Sequence, residues 1–223
     1  MKGKLIVIEG TDCSGKETQS KLLIKKLRKE GIRIENFSYP NYQSPTGKIV
    51  GGSYLGKEYL GECVFEEGAA NVDPKVASLY YAADRKYNIH KIKLLLDNEV
   101  NVLLDRYVYS NMAHQGGKLK TKVEREDMYN FLETLEFKLL ELPKPDIAMF
   151  LHMPLKFSLK LKENREETSD EHEKDIDHLK NAEKTYLEIS DRFNMKQIEC
   201  ADKEIRTIEE ISIDVYNYVK ENL

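Results

Sequence analysis

The sequence contains no tryptophan, few cysteines and no long apolar run. Its three cysteines, Cys13, Cys63 and Cys200, lie far apart and form no C-x-x-C pair, so we expect neither a disulfide framework nor a structural metal site. They indicate a reducing compartment, the cytoplasm. No apolar run approaches the roughly 18 residues that span a bilayer. We therefore expect no membrane partner and, since a predicted strand begins close to the first residue, no signal peptide.

An excess of basic charge is also absent. Lysine and arginine number 35 against 39 acidic residues, which gives a formal net charge of −4, and the two signs are mixed along the chain. We therefore expect no nucleic-acid partner. The chain has 223 residues, of which 40% are hydrophobic, and it contains neither an internal repeat nor a low-complexity linker. These properties predict a single domain over residues 1–223.

The N-terminal stretch carries the most specific pattern. An apolar, β-branched run ends at Gly10, Gly15-Lys16 follows, and a polar segment with helical spacing comes next. The spacing Gly10-x-x-x-x-Gly15-Lys16 is typical of a phosphate loop between a strand and a helix. Glycines let successive N–H groups point at an anion, the helix N-terminus adds its dipole, and Lys16 can bridge the outer phosphates. The predicted phosphate-binding residues are Gly10, Thr11, Asp12, Cys13, Ser14, Gly15, Lys16, Glu17 and Thr18.

Two positions of this loop are unusual. The residue after the lysine is normally Ser or Thr, whose hydroxyl holds Mg²⁺, but here it is Glu17, and Thr18 follows. Cys13 fits either a small residue at a variable position, which we favour, or a redox switch. A surface turn with two chance glycines would show the same letters, but the flanking strand and helix patterns favour phosphate binding.

Strand patterns alternate with helix patterns along the chain, which predicts a parallel sheet covered on both faces. The strands are expected over residues 4–9, 32–38, 100–105, 146–151 and 195–200. Asp73-Pro74 predicts a helix start, and Thr121-x-x-Glu124 predicts a capping box. Residues 155–161 alternate like a strand, but Pro154 and the need for a crossover favour a helix. The fold class is therefore α/β, a three-layer α/β/α arrangement around a five-stranded parallel sheet.

Apolar spacing also predicts which side chains lie on the same face of each helix. The long helix after residue 73 has Val76, Leu79, Tyr80, Ala83 and Tyr87 on one face. The helix after the capping box has Met128, Phe131, Leu132, Leu135, Leu139 and Leu142. The C-terminal helix has Ile205, Ile208, Ile211, Val215 and Val219. Residues 43–71 read as a loop with one short helix near residues 46–50, and an irregular stretch of this length is more often functional than idle.

Ligands of such sheets bind at the carboxyl ends of the strands. Asp105 ends a predicted strand, where it could hold Mg²⁺ directly or through water, or cap the next helix. Arg106 could stabilise transferring phosphoryl groups or pair with Asp105. Tyr81 could stack on a base and Arg85 could grip its carbonyl or a phosphate; a core tyrosine with an arginine reaching the surface is the alternative.

Several motifs, in order, make the sequence similar to the thymidylate kinase family of phosphate-loop (P-loop) nucleoside monophosphate kinases. They cover residues 4 to about 151 and, more loosely, the remainder. The motifs are Glu9-Gly10-x-Asp12-x-x-Gly15-Lys16, Tyr39-Pro40, Tyr81-x-x-x-Arg85, Asp105-Arg106-Tyr107-x-x-Ser110-x-x-Ala113 and Leu142-Pro143-x-Pro145-Asp146.

The resemblance implies a P-loop fold and transfer of the ATP γ-phosphoryl group to dTMP, giving dTDP, with Mg²⁺ and usually as a homodimer. The catalytic residues that it implies are Lys16, Arg106, Asp12 and Arg165. The nine loop residues from Gly10 to Thr18 would bind ATP, while Asp105 and Thr18 would serve the metal. The acceptor nucleotide would meet Asp12, Tyr39, Pro40, Tyr42, Tyr81, Arg85, Arg106, Ser110, Asn111 and His114.

Departures from the family pattern keep alternatives open. Some members carry arginine where Cys13 stands and others place the basic residue in a lid, so the charged segment 160–175 is expected to be a lid rather than a merely solvated loop. Its candidate cations are Lys160, Lys162 and Arg165. His114 stands where the family often has Tyr or Phe, which leaves discrimination against ribonucleotides open. A kinase for another monophosphate, such as dUMP or dCMP, is one alternative; a non-catalytic nucleotide-binding module, suggested by Glu17, is another.

Overall fold

The computed structural model describes residues 2–162 and 175–223. All the predicted strands are present with slightly shifted ends: β1 Leu5–Gly10, β2 Ile34–Ser38, β3 Asn101–Asp105, β4 Ile147–His152 and β5 Lys196–Glu199. They form one five-stranded sheet in the order β2-β3-β1-β4-β5. Every neighbouring pair is parallel, which confirms the predicted fold class.

Helices connect the strands. They are α1 Lys16–Lys29, α2 Pro45–Lys48, α3 Pro74–Asp97, α4 Val108–Gly116, α5 Lys122–Leu132, α6 Leu155–Lys162, α7 Ile176–Arg192 and α8 Ile208–Asn222. Two of them continue as π-helical segments, α2 into Ile49–Tyr54 and α5 into Glu133–Leu139. Most of the predicted lid 160–175, including Arg165, lies outside the described residues. The segment 155–161 is helical, as expected.

The sheet separates two apolar layers because successive residues of β1 point to opposite faces. Ile6 and Ile8 pack in a cluster with residues of α1 and α8, among them Leu23. Leu5 and Val7 pack in a second cluster with residues of α3, α4 and α7, among them Met112. Helices therefore cover both faces, and the apolar β1 runs through the middle of a three-layer molecule.

Local capping signals predicted two helix starts correctly. The Asp73 side chain accepts hydrogen bonds from the amides of Lys75 and Val76, at 2.9 and 3.1 Å, at the start of α3. Thr121 and Glu124 form both halves of a capping box at the start of α5. Each cap satisfies amides that have no partner within their own helix, so these starts are fixed by nearby residues alone.

Most of the apolar face predicted on α3 points outward; Tyr80 is the exception, because it is half-buried and stacks on Tyr54. Val76, Leu79 and Tyr87 are 42%, 51% and 60% exposed, whereas the helix buries Ala77, Ser78, Ala82, Asp84, Arg85, Ile89, Ile92 and Leu96. The buried side is partly polar because its N-terminal half faces a cleft and not the apolar core. Periodicity therefore identified a real stripe on α3 but not the direction in which it faces.

In two other predicted helix faces, the residues at one end do not lie where the spacing placed them. Leu139 is 70% exposed, because the π-helical segment takes in more residues per turn than an α-helix and rotates the following side chains away from the expected line. Leu142 is buried but lies beyond the helical segment. In the C-terminal region, α8 begins only at Ile208, which is exposed, and Ile205 precedes it.

Across residues 2–162 and 175–223, no helix combines the length and the apolar character needed to cross a bilayer.

Candidate active site

A cleft of about 600 Å³ opens at the carboxyl ends of β1, β2 and β3. The structure brings most of the predicted site residues to its walls: Asp12, Cys13, Gly15, Lys16, Glu17, Thr18, Tyr39, Pro40, Tyr42, Tyr81, Arg85, Asp105, Arg106, Ser110, Asn111 and His114. The loop residues Gly10 and Ser14 are buried and are not among the residues that line the cleft, while Thr11 lines a small neighbouring pocket.

The phosphate loop joins β1 to α1 and depends on glycine at two places. A Cβ atom on Gly10 would lie 2.5 Å from Ser14 Oγ and 2.8 Å from the Leu151 carbonyl oxygen, so a side chain there would push the loop off the sheet. Gly15 has φ of +82° immediately before the first turn of α1, a backbone conformation that favours glycine. Cys13 also has a left-handed backbone, with φ of +58°.

Lys16 lies on the floor of the cleft and is only 8% exposed. Its Nζ donates a hydrogen bond to the Thr11 carbonyl oxygen at 2.7 Å, which holds the side chain curled over its own loop. Burial, together with the nearby positive charge of Arg106, lowers the pKa of Lys16 to about 8. The surroundings of Lys16 therefore disfavour its ammonium form, and the negative charge of a phosphate would favour it.

Residues with metal-binding chemistry line the cleft beside the loop. Asp105 ends β3 and Thr18 lies in the first turn of α1, and both line the cleft wall. A carboxylate and a hydroxyl are hard oxygen donors of the kind that Mg²⁺ takes, so they fit this ion. Asp105 is not the cap of the following helix, because Tyr107 occupies that position. Glu17, at the usual hydroxyl position, pairs with Lys21 on the exposed side of α1.

Arg106 joins the loop to Tyr186 of α7. Its Nη1 donates to the Gly10 carbonyl oxygen at 3.0 Å and to the Tyr186 hydroxyl at 3.1 Å, and its Nη2 pairs with Asp12. The predicted alternative, an ion pair with Asp105, is wrong. Arg106 has φ of +67°, a sparsely populated conformation for an arginine and one that often marks a functional site.

Glu9 fixes the position of residues beside Arg106, a role that its place in the sequence did not reveal. It is fully buried and accepts hydrogen bonds from the amides of Tyr107 and Ser110, at 2.8 and 3.2 Å, and from the Ser110 hydroxyl. Burial raises the pKa of the Glu9 carboxyl. Glu9 thus ties the end of β1 to the start of α4, and so sets where Ser110 stands in the cleft.

Arg85 does not reach the surface, so the alternative of a surface-reaching arginine is wrong. Only 2% of its surface is exposed, and its Nη2 donates to Glu136 Oε1 at 2.6 Å while its Nε donates to Glu136 Oε2. Its Nη1 donates to the Tyr107 carbonyl oxygen at 3.4 Å. Tyr81, one helical turn earlier, lines the cleft and meets the Tyr54 ring edge-on.

His114 stands at the predicted place in the cleft wall and stacks on His178 of α7. The ring centroids are 5.4 Å apart, and His114 Nδ1 lies 3.1 Å from His178 Nε2. Burial and the neighbouring His178 hold the pKa of His114 well below its usual range. A neutral imidazole therefore occupies this part of the cleft at physiological pH.

The loop after β2 is fixed by a second residue without an assigned role, Asp84. This buried carboxylate of α3 accepts hydrogen bonds from the Asn41 amide, the Ser44 and Thr46 hydroxyls and the Asn88 amide group, all between 2.8 and 2.9 Å. The loop that Asp84 holds carries Tyr39, Pro40 and Tyr42 into the cleft, where Tyr39 and Pro40 are joined by a cis peptide bond.

Lys57 is a cleft residue that sequence reasoning missed. Its ammonium lies 5.5 Å from the centre of the Tyr42 ring, and the residue lines the cleft. Two glycines allow this placement: a Cβ on Gly51 would lie 2.3 Å from a Leu60 methyl carbon, and one on Gly52 would lie 2.6 Å from the Leu60 carbonyl oxygen. The pair Gly51-Gly52 in an otherwise helical segment is the signal that could have shown a close approach there.

The fold and the cleft together define a phosphate-loop nucleotide-binding protein with an aromatic and basic wall opposite the loop, the arrangement of a kinase for small acceptors. Comparison with known proteins gives the family. A family model described as thymidylate kinase matches residues 8–211, and the chain belongs to the thymidylate kinase family.

Curated relatives cover nearly the whole chain. A probable thymidylate kinase from Methanocaldococcus jannaschii is 34% identical over 215 residues, which are 96% of this chain and 95% of the relative. A thymidylate kinase from Prochlorococcus marinus strain NATL2A is 31% identical over 221 residues, 99% of each chain. A solved thymidylate kinase from Candida albicans superposes with a TM-score of 0.77 at 24% identity, covering 99% of this chain and 92% of that one, which shows the shared fold.

Proposed function

We propose that this enzyme transfers the γ-phosphoryl group of ATP to dTMP and releases dTDP. The observation that carries the proposal is the position of Arg106, which contacts Gly10 and Asp12 of the phosphate loop within the cleft that also holds Tyr81 and Arg85. A guanidinium at that junction can neutralise charge on the donor and the acceptor together. Lys16 and the loop amides would hold the donor phosphates.

The acceptor does not need a general base. The second pKa of a phosphate monoester is about 6, so the attacking oxygen is already mostly ionised at neutral pH. The site therefore has to align two anions and cancel their repulsion, which is a task for fixed cations and amides. Asp12, held by Arg106, lies at the edge of the loop, where it can face the acceptor. Arg165, Lys162 and Lys160 stay proposed lid cations.

Mg²⁺ would join the donor phosphates next to Asp105 and Thr18, the oxygen ligands that line this part of the cleft. The ion would supply charge neutralisation and orientation of the phosphates. Asp105 would hold it directly or through water, and Thr18 would take the part that a hydroxyl after the lysine usually plays. Glu17 also lines the cleft, but its carboxylate is paired with Lys21.

The proposal includes a homodimer acting in the cytoplasm. The exposed stripe Val76, Leu79, Ala83 and Tyr87 on α3 offers an apolar surface that a second copy could cover. The cytoplasmic location is proposed from the cysteine usage, since Cys13, Cys63 and Cys200 are few and lie far apart in the sequence, which is typical of a reducing compartment.

A coupled assay with ATP, Mg²⁺ and a panel of dTMP, dUMP, dCMP, dGMP and AMP tests the proposal. We expect dTMP to give the highest kcat/KM. A clear preference for a purine or cytidine acceptor would refute dTMP as the substrate. ATP binding without transfer to any monophosphate would instead identify a non-catalytic module.

Arg106→Ala tests the observation that carries the proposal. We expect turnover to fall by about 100-fold or more with the fold intact, because one preorganised charge-stabilising donor is lost. Arg33→Ala is the matched control, since Arg33 is exposed and bonds to the Asn98 carbonyl oxygen away from the cleft. Equal activity of the two variants would remove Arg106 from the site.

A further inference from the structure

Glu136 is a fully buried carboxylate in the wall behind the cleft, and no role in the reaction accounts for it. It belongs to the π-helical segment Glu133–Leu139, a type of helix that occurs frequently at functional sites. Ionised groups are costly to remove from water, and an apolar pair of similar size often stabilises a fold equally well. The Glu136–Arg85 pair is therefore better explained by what it orients than by stability.

Glu136 determines how two neighbouring side chains present their polar atoms. It binds the Nε and Nη2 of Arg85, so Nη1, which donates a long hydrogen bond of 3.4 Å to the Tyr107 carbonyl oxygen, is the nitrogen that Glu136 does not bind. Glu136 Oε1 also accepts a hydrogen bond from Asn111 Nδ2 at 3.0 Å, and the Ser78 carbonyl oxygen accepts a second at 3.2 Å. Both neighbours of this amide nitrogen are acceptors, so the Asn111 amide cannot be turned over without losing both bonds.

The Asn111 amide oxygen is thereby left as an acceptor without a partner. Asn111 is only 3% exposed, and its Oδ1 has no hydrogen-bond partner within residues 2–162 and 175–223. A buried polar atom without a partner is uncommon, and a functional role is one of the explanations for it. Asn111 and Arg85 line the same cleft, so the wall offers one fixed acceptor and one fixed donor side by side.

We propose that Glu136 is a positioning residue for the acceptor base: by fixing Arg85 as a donor and Asn111 as an acceptor, it selects a 4-oxo pyrimidine over a 4-amino one. Thymine and uracil offer a carbonyl acceptor at position 4 and an N–H donor at ring position 3, which complement this pair. Cytosine offers the reverse, an amino donor and a ring-nitrogen acceptor, and would set donor against donor and acceptor against acceptor. The inference rests on the proposed function.

Glu136→Gln tests the role with almost no change of shape. One carboxylate oxygen becomes an amide nitrogen, so the side chain can no longer accept all three hydrogen bonds from Arg85 and Asn111. We expect the ratio of kcat/KM for dTMP to that for dCMP to fall at least about tenfold, with the KM for ATP within about twofold of the wild-type value. Glu133→Gln is the matched control, because Glu133 lies in the same π-helical segment but pairs with Lys144 and Arg192 away from the cleft. Its ratio should match the wild-type ratio.

A second variant covers the case in which Glu136→Gln fails to fold. Glu136→Asp keeps the negative charge beside Arg85 but is one methylene shorter, so it should fold and still lower the dTMP-to-dCMP ratio. An equal loss on both nucleotides with an unchanged ratio in these variants, or the same change of ratio in Glu133→Gln, would overturn the positioning role. Wild-type protein that is inactive on dTMP would instead refute the proposed function, so the two failures are separable.

Discussion

At the scale of single residues, the site is built from charges held in unusual states. Lys16 is buried against its own loop with a lowered pKa, Glu9 is buried with a raised one, and Arg106 has a left-handed backbone. Each of these states costs free energy, and the negative charge of a bound phosphate would favour the charged form of Lys16. The pKa of Lys16 gives the most direct experimental access to this property.

Proton uptake on ATP binding is the expected consequence for Lys16. At pH 8 about half of the Lys16 side chains are neutral, because burial has lowered the pKa from its usual value of 10.5 to about 8. Phosphate oxygens favour the ammonium form, so binding ATP at pH 8 should take up about half a proton, and affinity should fall as pH rises above this value. Calorimetry in two buffers with different ionisation enthalpies measures the uptake.

Two lysine variants separate Lys16 from its neighbours in that measurement. Lys16→Met should abolish the uptake, whereas Lys21→Met should retain it, since Lys21 is exposed and pairs with Glu17 on the outside of α1. The same uptake in the Lys16 variant would show that another group takes the proton.

At the scale of helices and strands, local sequence signals were enough to predict the secondary structure but not the side-chain contacts between residues far apart in the sequence. The strands, the helix starts at Asp73 and Thr121 and the phosphate loop follow from neighbouring residues, so the sequence predicted them. Glu136 and Arg85 are 51 residues apart, and Asp84 holds Ser44 from a distance of 40 residues. No periodicity encodes such pairs, and an isolated acidic residue in a helical pattern is usually solvated, so these parts of the site could not be predicted.

The hydrogen bonds from Asp84 to the loop after β2 should affect both the stability of the protein and the binding of the acceptor. Asp84→Ala leaves several buried donors without an acceptor, which should lower the free energy of unfolding by about 3 kcal/mol. It should also raise the KM for the acceptor while sparing the KM for ATP, because the loop carrying Tyr39 and Tyr42 loses its anchor. Denaturant unfolding and steady-state kinetics give the two values.

Asp97→Ala is the control for that experiment. Asp97 ends the same helix, α3, but is exposed and pairs with Lys2 at the surface. Its stability and kinetics should stay close to wild type, as is usual for exposed ion pairs. An Asp84 variant that matched the Asp97 variant would mean that the loop is held by its other contacts.

At the scale of the whole molecule, the exposed apolar stripe on α3 bears on whether the protein is a monomer or a homodimer. Its spacing predicted that these residues share one face of α3, but the buried side of the helix is the one that carries Arg85 and Asp84, so most of the apolar residues point to solvent. Sequence periodicity shows which residues share a face of a helix, but it does not show whether that face is packed against the protein or exposed to solvent. An apolar stripe of this kind is expected to lie against a partner surface.

Leu79→Glu should convert the proposed homodimer into a monomer, because it places a charge in the middle of the stripe. Size-exclusion chromatography with light scattering would show the mass of one chain for the variant and of two chains for the wild type. Val123→Glu is the control, since Val123 is also highly exposed but lies at the start of α5. A wild-type protein that elutes as a monomer at high concentration would contradict the assignment.

The position of β1 in the sheet has a mechanical consequence. This strand has hydrogen-bonded neighbours on both sides, β3 and β4, and packed helices on both faces, and the phosphate loop is its direct continuation. In the proposed reaction, the donor nucleotide would therefore bind next to a strand that is supported on all sides, and its γ-phosphate would be held in a fixed position. Any movement that accommodates the acceptor nucleotide should then occur in the other wall of the cleft. That wall includes Tyr42 and Lys57, which lie in the segment between β2 and α3.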